Sequence, residues 1–142
     1  MKMLANVARR SIHEAHGSAA IEFALVVPVL LLLVVGAMEI GMIIYTHSAA
    51  GFATRDVARR IATNRLVVAL APSTVKDQLP AWVRQDTTVT VDQSTPSNIF
   101  TNQITVKASF PAAKATPTNV LNALYGSSTI EVQGTIQQEP AL

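Results

Sequence analysis

Cysteine is absent from the 142 residues. That absence excludes a disulfide scaffold, a thiolate zinc site and a cysteine nucleophile. It leaves the compartment open, because a secreted chain can dispense with disulfides. Charge is scarce as well, at 14% of residues against roughly 25% in an ordinary soluble protein. Catalytic signatures are missing too: there is no Gly-rich phosphate loop and no G-x-S-x-G elbow. The carboxylates Asp56, Asp77, Asp86 and Asp92 are scattered over expected helix ends and loops, without a paired acid–base arrangement. His13-Glu14-Ala15-His16 falls one residue short of the H-E-x-x-H zinc spacing, which puts both imidazoles on one helix face. A solvated segment explains it, and an interfacial position explains the solitary His47. Neither catalysis nor a cofactor or metal is expected.

What is abundant is apolar surface: 49% of residues, with a mean hydropathy of +0.33. A disordered charged tail is excluded. The net charge of +2 sits wholly in residues 1–17, where Lys2, Arg9 and Arg10 outnumber Glu14; residues 18–142 hold eight basic and eight acidic groups. No nucleic-acid partner follows from that balance.

The apolar excess is concentrated. From Phe23 to Ile44 the chain reads FALVVPVLLLLVVGAMEIGMII, 22 residues with Glu39 as the single charge. As a helix this reaches about 33 Å, enough to cross a hydrocarbon core of about 30 Å. It is the one such stretch, so a single-pass membrane protein is expected unless the segment is removed. Pro28 lies inside it and is expected to kink the helix, which membrane helices tolerate. Gly36, Ala37 and Gly41 are small; Ala37 and Gly41, four apart, suit the close approach of a neighbouring helix. Arg9 and Arg10 on one side and Arg55, Arg59 and Arg60 on the other leave the positive-inside count undecided.

Beyond the span the pattern becomes that of a water-soluble domain. Ala50, Ala53, Val57 and Ile61 recur at helical spacing, with Asp56 and Arg60 placed for an i,i+4 pair. One helix is expected to continue from the span to about Leu66, with Pro72 barring further continuation. A short amphipathic piece follows, with Val75, Leu79, Trp82 and Val83 on one face and Pro80 interrupting it. The period then switches to two, and strands are expected over about 87–92, 103–110 and 128–137. A short helix is expected over Asn119–Tyr125, closed by Gly126. The expected class is α+β: a long N-terminal helix, membrane-spanning in its first half, packed on a small three-stranded antiparallel sheet. The boundaries are residues 1–17, 18–45 and 46–142.

The junction at Gly17 carries the functional signal. A basic, polar leader ends in Gly17, the small Ser18 follows, and the fifth residue after Gly17 is Glu22, at the start of the apolar run. This arrangement resembles the class III signal of type IV pilins and pseudopilins. The longer run GSAAIEFALVVPVLLLLVVGAMEIG, Gly17 to Gly41, with Glu22, Phe23, Pro28 and Glu39, resembles the TadE-like pseudopilins of the tight-adherence (Flp) pilus system. Ile40 stands where those proteins commonly carry an aromatic residue.

The resemblance implies a pilin-like fold and a cut between Gly17 and Ser18 by a prepilin peptidase on the cytoplasmic side. It implies that Glu22 pairs with the new amine of a neighbouring subunit, which here belongs to Ser18. It implies a minor pseudopilin in the bacterial inner membrane, with its C-terminal domain in the periplasm, that assembles or primes an adhesive surface pilus. Whether it enters the filament stays open. The implied partners are the peptidase, other pseudopilins or pilin subunits, and the inner-membrane assembly platform. Glu39 lies 17 residues after Glu22, about 100° away around an ideal helix. It is expected at the outer membrane interface, or else against a partner pseudopilin.

Two other readings remain. Ser48-Ala49-Ala50 has the small-x-small pattern of an ordinary signal peptidase site, which would release a soluble domain starting at Gly51. An uncleaved single-pass anchor of an envelope complex is the other.

Overall fold

The computed structural model describes the backbone of residues 2–118, 120 and 127–140, and side chains among these from residue 19 onward. The segment expected as a helix over Asn119–Tyr125 lies outside the described residues, apart from residue 120. In chain order the elements are α1 (Lys2–Ala62), a 3-10 turn (Val68–Leu70), α2 (Ala71–Gln78), α3 (Ala81–Arg84), β1 (Thr88–Gln93), β2 (Gln103–Pro111), a second 3-10 turn (Ala112–Lys114) and β3 (Thr129–Gln137). The class is α+β, with a long apolar helix and a three-stranded antiparallel sheet.

The chain divides into two compact units, residues 1–37 and 38–142. In the first, α1 carries Pro28 within its run. Ile21, Phe23, Leu25, Leu32 and Leu33 are each about two-thirds or more exposed. Among the described residues, Ala19–Ala62 is the one helix long and apolar enough to cross a membrane, with a window of mean hydropathy 2.6.

The second unit runs from Met38 to Leu142. Glu39 and Thr46 face into it, 1% and 0% exposed. The α1 face they begin continues through Ala50, Ala53, Val57, Ala58 and Ile61, all buried, at the three- and four-residue spacing of one helix side. Against it pack Ile104, Val106, Ala108 and Phe110 of β2 and Val132 of β3. These alternate along their strands with polar residues on the opposite face.

The sheet is a meander in the order β1-β2-β3. Thr88 pairs with Ser109 at one end of β1–β2, and Gln103 with Gln137 at one end of β2–β3. On its outer face Thr105 and Thr135 hydroxyls meet at 3.0 Å, and Lys107 reaches Asp92 at 3.3 Å. Asn102, buried, ties the β1–β2 loop down: its Nδ2 donates to Gln138 Oε1 (2.8 Å) and its Oδ1 accepts from the Thr95 N–H (3.1 Å).

α1 ends at Ala62, short of Leu66. The Arg65 N–H donates to the Arg60 carbonyl (2.8 Å), and the Asn64 N–H to the Ile61 carbonyl (2.9 Å). Asn64 has φ 58°. This is a Schellman cap with asparagine in the left-handed position usually held by glycine. Pro72 also acts differently from expectation. It lies in the first turn of α2, where its missing N–H has no helical partner to lose, so it begins a helix where it was expected only to bar one. The amphipathic piece splits at Pro80 into α2 and α3. Val75, Leu79 and Val83 are buried, while Trp82 is 37% exposed.

Candidate functional site

The residues singled out in the sequence all lie on α1, and they separate into three groups. Gly17 and Ser18 stand within the helical backbone. A protease needs extended backbone across the bond it cuts, so a cut here would require this turn to open, and Gly17 is the residue with least helical preference there. Glu22 lies one turn after Ser18, exposed and flanked by the exposed Ile21 and Phe23.

Gly36, Ala37 and Gly41 form the second group. Gly36 is half-buried and Ala37 exposed. Around Gly41 no heavy atom lies within 4 Å of the position a β-carbon would take. Among the described residues Gly41 therefore makes no close contact, and it leaves an open notch on the helix.

Glu39 is the third, and its side chain is turned into the folded unit. It is 1% exposed, and its Oε1 accepts a hydrogen bond from Thr116 Oγ1 at 3.0 Å. Two helical turns on, Thr46 Oγ1 donates to the Ala115 carbonyl at 2.7 Å. Trp82 Nε1 donates to that same carbonyl at 3.1 Å and approaches Thr46 Oγ1 at 3.3 Å. The Tyr45 ring lies 6.4 Å from the Trp82 ring, tilted by 44°. Two adjacent residues after β2, Ala115 and Thr116, are thus clasped by polar groups seven apart on α1. The clasp ties α1 to the segment after β2 within the second unit. Thr46, Trp82, Ala115 and Thr116 were missed in the sequence because the bonds span 33 to 77 residues. The one available signal was a charge at a position in phase with the core face of α1.

The exposed side of α1 is basic. The Asp56–Arg60 pair forms at 2.9 Å, as its spacing implied. Asp56 Oδ2 also accepts from Gln78 Nε2 at 3.0 Å. Arg55 and Arg59 extend beside them without an ion pair among the described residues. At Arg55 helix and sheet approach closely: a β-carbon on Gly134 would lie 2.7 Å from the Arg55 backbone nitrogen and 2.8 Å from its Cα. Only glycine fits there.

Residues 17–59 match the family model described as TadE-like protein. The match is consistent with a TadE-like protein of the tight-adherence pilus system. No curated protein and no solved structure gives a significant match. The TadE-like segment starts at Gly17 and runs beyond Gly41 to Arg59, so it includes Glu22, Pro28, Glu39, Thr46 and Arg55. The sheet lies outside it. The TadE-like match suggests a role in Tad pilus systems, in association with their components. Together with the long apolar helix it points to membrane anchoring.

Proposed function

We propose that this chain is a minor pseudopilin that helps to assemble or prime a tight-adherence pilus used in adhesion and surface colonisation. The observation that carries the proposal is the TadE-like match, which opens on Gly17 and lies on a helix apolar enough to span a membrane. A prepilin peptidase cuts between Gly17 and Ser18 on the cytoplasmic face. The remaining helix holds the protein in the bacterial inner membrane as a single pass, with residues beyond the span in the periplasm. Glu22, one turn after the new Ser18 amine, pairs with that amine on a neighbouring pseudopilin or pilin. A charge in the bilayer costs on the order of 2–3 kcal/mol, and pairing offsets the desolvation of both groups while setting the stagger of adjacent helices. The function is structural, and no catalytic step is assigned to the chain.

The clasp at Glu39 and Thr46 favours this reading over secretion. A cut between Ala50 and Gly51 would remove Glu39 and Thr46 from the folded unit, together with their bonds to Thr116 and Ala115. Deleting the gene in the native host tests the role. Pili and surface attachment should be lost or strongly reduced. They should return with the wild-type gene and fail to return with Glu22→Ala. Normal piliation and attachment in the deletion strain would refute the assignment.

A further inference from the structure

β3 is an outer strand, and its far side has no partner strand among the described residues. The hydrogen-bond parity shows which backbone groups point there. The Gln103 carbonyl accepts from the Ser94 N–H (3.1 Å), and the Gln103 N–H donates to Ser94 Oγ (2.8 Å), so Gln103 faces β1. Backbone groups alternate sides along a strand. Ile104, Val106 and Ala108 therefore face β3, at Ile136, Gly134 and Val132. The parity holds at both ends, where the Ala112 N–H donates to the Ser128 carbonyl (2.8 Å) and the Gln138 N–H to the Asn102 carbonyl (2.9 Å). The N–H and C=O groups of Glu131, Gln133 and Thr135 thus point outward, and all three residues are exposed.

Alongside this edge runs α1, in the same direction as β3. Gly51 lies by Val132, Arg55 by Gly134, and the Glu139 N–H donates to the Ala62 carbonyl at 3.0 Å. The α1 flank and Ile136 enclose a groove of about 770 Å³, whose lining includes Ser48, Phe52, Arg55 and Arg59. Phe52 is 71% exposed. The one carboxylate in the lining, Asp56, is already held by Arg60 and Gln78. The groove supplies two guanidinium groups and an aromatic ring, and through Ile136 it adjoins the strand whose outer edge carries the open row of backbone donors and acceptors.

We infer that the β3 edge and this groove receive an extended segment of a partner chain as a fourth strand. Its backbone pairs with Glu131, Gln133 and Thr135, and its helix-facing side presents carboxylates to Arg55 and Arg59 and an apolar side chain to Phe52. Main-chain bonds supply affinity and the alternate side chains supply selection in this mode of recognition. The outer strands of a second copy do not fit. Glu131 of β3 and Asp92 of β1 project from the face away from the helix, and Asp92 is held by Lys107. The inference does not depend on the pilus assignment.

The test uses the full chain in detergent micelles and a labelled nine-residue peptide with threonine at the odd positions, glutamate at two of the even positions and valine at the other two, so that one face carries both carboxylates and apolar groups. Amide exchange at Glu131, Gln133 and Thr135 should slow about tenfold or more on addition of the peptide. A peptide with lysine in place of glutamate should give no protection. The double variant Arg55→Glu/Arg59→Glu, checked for an unchanged unfolding temperature, should bind the glutamate peptide at least about tenfold more weakly. The lysine peptide needs no variant, so the test stands even if the double variant unfolds. Unchanged exchange, equal protection by both peptides, or undiminished binding to a folded double variant would overturn the inference. So would edge protection that rises with protein concentration without peptide, which would assign the edge to a second copy.

Discussion

At Gly134 the sheet comes within van der Waals range of the helix backbone, and no side chain separates the two. A β-carbon there would press on the Arg55 nitrogen and Cα at 2.7 and 2.8 Å, atoms that cannot swing aside. Gly134→Ala should therefore destabilise the folded unit by about 1–3 kcal/mol or more, read as a lower unfolding temperature in detergent. An unchanged value would mean that helix and strand do not cross there. The Glu39–Thr116 bond makes a second prediction. Thr116→Val keeps the shape but withdraws a donor from a buried carboxylate oxygen, which should cost about 1–3 kcal/mol. Thr116→Ser should recover most of that loss, and equal loss in both variants would point to packing as the cause. Glu39 was the hardest residue to place from sequence. Within an apolar run its charge suggests water or headgroups, and nothing nearby in the chain announces a hydroxyl 77 positions away. Its phase with Thr46, Ala50 and Ala53 was the available clue.

Among the elements, α1 and the three strands were legible because their periods are clean. Val106 and Ala108 alternate with Thr105 and Lys107, and Val57 and Ile61 follow Ala50 and Ala53 at helical steps. The helix end was less legible. No glycine or proline stands in Thr63-Asn64-Arg65-Leu66, just after Ala62, and the stop depends on Asn64 adopting the left-handed conformation, a choice composition reveals only weakly. Asn64→Ala should lower stability by about 1 kcal/mol, because a β-carbon without a compensating side-chain amide is strained there. Asn64→Gly should hold or raise it. The reverse order in thermal unfolding would contradict the cap. Pro72 shows the same difficulty, since one residue stops a helix or starts one depending on its place in the turn.

For the whole molecule, the near-balance of charge conceals a separation. Residues 18–142 are neutral in sum, yet Arg55, Arg59, Arg60 and Arg65 crowd the end of α1, with Asp56 and Glu139 as the acidic residues beside them. Cations at a helix C-terminus are favoured by its dipole, and here they also border the open β3 edge. The leader holds the excess of +2, and its removal would leave a neutral chain with a new amine one turn before Glu22. Everything proposed for Ser18 and Glu22 depends on processing at Gly17, which the N-terminus and intact mass of the protein, taken from both membrane and soluble fractions of its host, will decide. The expected product is a chain of residues 18–142 beginning at Ser18, with the whole leader retained in Gly17→Ala. A soluble product beginning at Gly51, or intact Met1 in cells with an active prepilin peptidase, would contradict it.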